Sequence, residues 1–132
     1  RLGQRRLAHG ALIGFTAISA LHALVLLAGI DNLIVFIALL SIALAFLGLI
    51  AANFSAIAMA PTGHIAGTAS AAYGFGSGIG ATMVGMLIGQ LYNGTAIPLI
   101  AGQAILGAFS LVAVFITERG QLFGVGEDSE AG

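Results

Sequence analysis

Between Asp31 and Glu118 the chain carries no Asp, Glu, Lys or Arg. That run of roughly 85 residues has room for about three membrane spans of ~20 residues. Charged residues make up only 7% of the whole chain, and hydrophobic residues 59%. Ordinary globular domains carry roughly 25% charged residues, so a soluble globular domain is excluded. In a bilayer every backbone N–H and C=O must be satisfied within the segment, which makes helix close to obligatory. The expected class is therefore an all-α membrane protein with lipid as its solvent. A net charge of −1 gives nucleic acid no electrostatic purchase. With no cysteines, nothing follows about redox compartment.

The most unusual part of the charge-free run is 61–94, with glycines at 63, 67, 74, 76, 78, 80, 85, 89 and 94. In a soluble helix each would cost about 1 kcal/mol relative to alanine. A flexible linker would place polar residues between them, whereas here stand Ile, Ala, Met, Val and Leu. In a bilayer small residues let a neighbouring backbone approach closely. Two rows share faces at four-residue spacing: Gly63, Gly67 and Ala71, and then Ala66, Ser70, Gly74, Gly78 and Thr82. Gly85 and Gly89 continue the theme. This predicts a packing helix.

Break signals divide the chain into four predicted transmembrane helices, at about 8–29, 33–59, 65–92 and 96–117. Ile30-Asp31-Asn32 separates the first two. Pro61 is expected to end the second, with Thr62-Gly63-His64 turning the chain. Asn93-Gly94-Thr95 makes the next turn, and Pro98 falls in the first turn of the fourth helix. Arg1, Arg5 and Arg6 form a short basic segment, expected on the cytoplasmic side. Four crossings would return the second end to that side, with Arg119 inside. The acidic segment 124–132 reads as a disordered tail. The first residue is Arg, and no signal-peptide pattern precedes the first apolar run. A piece of a longer protein is expected.

Few residues offer chemistry. No carboxylate lies within a predicted span, so no proton relay of the usual carboxylate kind is expected in this chain. His22 is either a titrating group or a neutral histidine bonded to a neighbouring carbonyl. Asn53 is either a contact for substrate or an inter-helix hydrogen bond. Ser70, Tyr73 and Ser77 fall at i, i+3 and i+7 and share a face, which lines a cavity or forms a packing seam. Gln90 and Tyr92 read as interfacial anchors, and Gln103 as structural. His64 has no second ligand at metal spacing. Neither cofactor nor phosphate site is expected, since no GxxxxGK[ST] occurs. With no nucleophile–base pairing, an enzyme is not expected.

Several segments together resemble the major facilitator superfamily, in particular the Bcr/CflA-type drug:proton antiporters. They are Ala58-Met59, Pro61, Gly63-His64, Ala66 to Ser70, Gly74, Gly80, Ile88-Gly89, Tyr92 to Thr95, Pro98-Leu99 and Glu118 to Phe123. RLGQRRLAHGAL resembles the basic loop between the eighth and ninth helices of such transporters. The resemblance implies that this chain is the last four of twelve helices, part of a carboxy-terminal six-helix bundle. It further implies proton-coupled efflux of drugs or other small hydrophobic molecules across the bacterial inner membrane. Helices two and three would border the substrate cavity, with Asn53, Ser70, Tyr73 and Ser77 as cavity candidates, and helices one and four would be peripheral. Gly63, Gly67, Gly74, Gly78, Gly85 and Gly89 would pack helices together, while Arg1, Arg5 and Arg6 would belong to a gating loop. Coupling carboxylates would lie among the eight amino-terminal helices. One departure is Ala60, which precedes the proline where the family often carries an acidic residue. The alternative is a self-contained four-helix membrane scaffold or a small oligomeric transporter subunit.

Overall fold

The computed structural model describes residues 4–30 and 32–117, with side chains from residue 6 onward. Arg1, the Arg5 side chain, Asp31, the 118–123 motif and the 124–132 segment lie outside the described residues. All regular structure among the described residues is helical: α1 (Gln4–Leu27), α2 (Leu33–Met59), a 3-10 link (Ala60–Ile65), α3 (Ala66–Gln90) and α4 (Ile97–Thr117). The helix begins at Gln4, so Arg6 stands exposed in the first turn of α1 rather than in a loop.

The turns follow from local chemistry. Gly29 adopts φ +76, a left-handed conformation that glycine takes without steric cost. Its N–H donates to Leu26 O and that of Ile30 to Val25 O, the paired bonds of a Schellman cap. Asn32 then caps α2: its side-chain oxygen accepts from Ile34 N at 2.9 Å and Val35 N at 3.2 Å. Before α4, Asn93 Oδ1 accepts from Thr95, whose Oγ1 accepts from Ile97 N. Gly94 has φ +87 in that turn.

Among the described residues, three helical stretches, not the expected four, are long and apolar enough to cross a membrane: Arg6–Leu27, Leu33–Gln90 and Ile97–Thr117. The correction lies at Pro61. Proline is damaging inside a helix but tolerated in a first turn, where its missing N–H has no partner to lose. Here it occupies the first turn of the 3-10 link, and the Ala60 N–H still reaches Ala56 O. The path therefore stays largely helical, departing from helical geometry in a kink at Thr62 (φ −107, ψ 18) and at Ile65 (φ −129, ψ 31). The Thr62 hydroxyl donates to Met59 O across that kink at 2.9 Å. A tight reversal at Thr62-Gly63-His64 would lay α2 and α3 side by side, whereas the two scarcely touch. At 58 residues the second stretch would be about 87 Å long if straight, against ~30 Å of hydrocarbon. It cannot cross as one straight rod.

The packed part of the molecule is centred on α1, which lies against both α2 and α4. His22 faces Phe36, and Gly14 faces Phe46, so α1 and α2 run antiparallel. Ala8, Ala11, Leu12, Phe15, Ser19 and His22 are buried along α1, at the i, i+3, i+4, i+7 spacing of one helix face. Ala43 of α2 and Ile100 and Gly107 of α4 close the core. By contrast α3 has no buried residue.

Candidate functional site

The long face of α3 is the natural place to look for a binding surface. Gly74, Phe75, Gly78, Ile79, Thr82 and Met83 line a shallow open groove along it. All six belong to one helix, so the groove has no opposite wall among the described residues. Phe75 is 73% exposed and Tyr73 40%. A methyl group added at Gly63, Gly67, Gly74, Gly78, Gly85 or Gly89 would meet no atom within 4 Å. Among the described residues, no neighbour meets the row of small residues.

Two hydroxyls on this helix, those of Ser77 and Thr82, turn inward to their own backbone. Ser77 Oγ donates to Tyr73 O at 2.7 Å and lies 3.2 Å from Gly74 O, and Thr82 Oγ1 donates to Gly78 O at 2.9 Å. Asn53 does the same on α2, giving Nδ2–H to Leu49 O at 2.7 Å. Such bonds satisfy a polar group in an apolar environment while leaving the other lone pairs, and in Asn53 a second N–H, for a partner. Ser70, Tyr73 and Ser77 share the exposed surface of α3. Asn53 is half-buried on α2, and since α2 and α3 scarcely touch, it is not gathered with them.

A second set of residues was less visible in the sequence. The close approaches within the chain occur at Gly14, Gly102 and Gly107. A Cβ at Gly14 would lie 2.6 Å from the Phe46 ring, at Gly102 2.7 Å from Ile88 Cδ1, and at Gly107 2.7 Å from Thr16 Oγ1 and 3.3 Å from Thr16 Cα. Gly10, four residues before Gly14 on α1, meets nothing within 4 Å. Gly102 and Gly107 stand five apart, a spacing that does not announce one helix face. Deeper in the core, Ser19 Oγ, both ring nitrogens of His22 and Gln103 Oε1 are buried without a hydrogen-bond partner. The His22 ring stands edge-on to Phe36, centroids 4.9 Å apart at 67°. Of the two expectations for His22, the carbonyl bond is not formed. Arg6, the one described residue of the basic segment with a placed side chain, is remote in sequence from the α3 groove and exposed.

Among the described residues no three His, Cys, Asp or Glu side chains gather. No protein-family model matches the chain, no curated protein matches it, and no solved structure matches it.

Proposed function

We propose that this chain contributes the last helices of a Bcr/CflA-type exporter of the major facilitator superfamily. Such a protein would exchange protons for drugs or other small hydrophobic molecules across a bacterial inner membrane. The observation that carries the reading is the bare small-residue face of α3. Glycines in membrane helices serve close approach, and those of α3 have nothing to approach among the described residues. Eight further helices, amino-terminal to this chain, would supply the neighbour. The linked residues from Ala58 to Leu99 support the same family. In that bundle α2 and α3 would part at the Thr62 kink into two separate spans, since their 27 and 25 residues each exceed the ~20 needed for a crossing.

The division of labour follows from what the spans lack. α2, α3 and α4 hold no carboxylate, so the coupling carboxylates would reside in the other helices. This chain would provide packing geometry and a cavity wall, with Ser70, Tyr73, Ser77 and Asn53 touching substrate. Tyr73 suits an amphipathic drug because it offers both a ring face and a hydroxyl.

The test is transport of a lipophilic cationic dye in everted membrane vesicles under an imposed pH gradient. The protein in its natural coding context should drive dye movement that a protonophore abolishes, and the 132-residue chain alone should drive none. Coupled transport by this chain alone would instead support the small oligomeric transporter. Absence of transport from both, with stable self-association of the chain, would support a scaffold.

A further inference from the structure

We propose that His22, with Ser19 as its hydrogen-bonding partner, is a proton-binding site in the cluster of α1, α2 and α4, and that its protonation loosens α1 from α2. His22 is 1% exposed and Ser19 0%. They lie three residues apart on α1, which places them on one face about 5–6 Å apart at Cβ. Neither ring nitrogen of His22 bonds to another protein group, and neither does Ser19 Oγ. Buried polar side chains are ordinarily paired, and an exception calls for a physical reason. An ionisable side chain inside a membrane helix is a functional candidate by default, and imidazole ordinarily titrates near neutral pH.

The surroundings isolate the group. α2 meets it with the Phe36 ring, and neither α2 nor α4 contains a titratable or charged residue. On α1 the other such residues are Arg5, Arg6 and His9, at the far end of the helix. Asp31, nine residues beyond His22 in the sequence, lies outside the described residues. Among the described residues, no charged side chain of α2 or α4 stands beside His22.

His22 lies five residues before Leu27, about 7.5 Å along the axis from the helix end. A proton from bulk water at that end adds to the acceptor nitrogen, so that both nitrogens donate. The Ser19 hydroxyl oxygen accepts one of these bonds. The resulting cation sits between apolar helices, where an unpaired charge is costly. It is drawn toward the water at the turn, and the His22–Phe36 contact opens. This inference does not depend on the exporter reading, because it concerns only the α1–α2 pair.

The chain has no cysteine, so labels can be placed freely. Spin labels at Leu24→Cys and Ile37→Cys, both exposed, report the α1–α2 separation in lipid nanodiscs, and side-chain NMR of the full chain reports histidine protonation. One histidine resonance should titrate between pH 8 and 4, vanish in His22→Phe and persist in a His9→Gln/His64→Gln variant. The label distance should lengthen over the same range in the starting protein and in the double variant, and stay constant in His22→Phe, which preserves ring packing. Ser19→Ala should move the titration midpoint. A His22 resonance unchanged from pH 8 to 4 would overturn the site, and so would a distance change that survives His22→Phe. Should His22→Phe fail to fold, the resonance that persists in the double variant still decides the matter.

Discussion

At the scale of single residues, the glycines fall into two classes that look alike in the sequence. Gly14, Gly102 and Gly107 face atoms of another helix; Gly74 and Gly78 face open space. Their substitutions should therefore differ. Gly107→Ala drives a methyl toward Thr16, whose backbone cannot yield, and should lower stability by about 1–3 kcal/mol. Gly102→Ala meets only the tip of Ile88, which can swing aside, and should cost less. In the isolated chain Gly78→Ala should be neutral or stabilising by up to about 1 kcal/mol, because alanine is the better helix former. In the complete exporter the same change should destabilise. Thermal unfolding in detergent, run on both forms, gives the ordering. An unaltered effect of Gly78→Ala between chain and exporter would remove the packing role. At the α2 start, Asn32→Ala should cost about 0.5–2 kcal/mol, since one side-chain oxygen serves two backbone N–H groups.

At the scale of elements, α2 lies between the polar break at Ile30-Asp31-Asn32 and the boundary at Pro61; that Asn32 caps it was not legible. α3 was legible as a helix despite its glycines, because a bilayer leaves the backbone no alternative. What Pro61 does to chain direction was not legible: the same residue that stops one helix can open the next. Nor was the central place of α1. Its buried face, from Ala8 to His22, carries the spacing of a core helix. Spacing says that a face exists without saying which neighbour covers it, and the family resemblance assigned this helix to the periphery. The candidate residues on α3 were readable as one face, while Ser19, Gly102 and Gly107 had no local pattern to mark them. The link itself is testable. Pro61→Ala restores a backbone donor next to the kink and should straighten the α2–α3 junction. Spin labels at Ala56→Cys and Ala69→Cys should then report a longer and narrower distance distribution. An unchanged distribution would assign the kink to Thr62 and Gly63 alone.

For the whole molecule, the balance of covered and uncovered surface is the informative quantity. Leu33 and Ile34 are 71% and 79% exposed, and α3 buries nothing. Exposed apolar surface of this extent in water marks an interaction site or an aggregation liability; in a bilayer it is the expected exterior. Lipid accounts for bulky Leu, Ile and Phe surfaces, as on the first half of α2. A surface of Gly, Ala and Ser gains little from lipid and much from another helix. In the proposed exporter, α3 would be covered by helices outside this chain and its Tyr73 side would open to a cavity. Labelling single cysteines placed in turn along 66–90, in the natural protein in native membranes, tests this directly. Positions 74 and 78 should resist both lipid-soluble and water-soluble reagents, while 73 and 77 should react with the water-soluble reagent and be protected by transported drug. Uniform reaction with the lipid-soluble reagent around the helix, without drug protection, would contradict it.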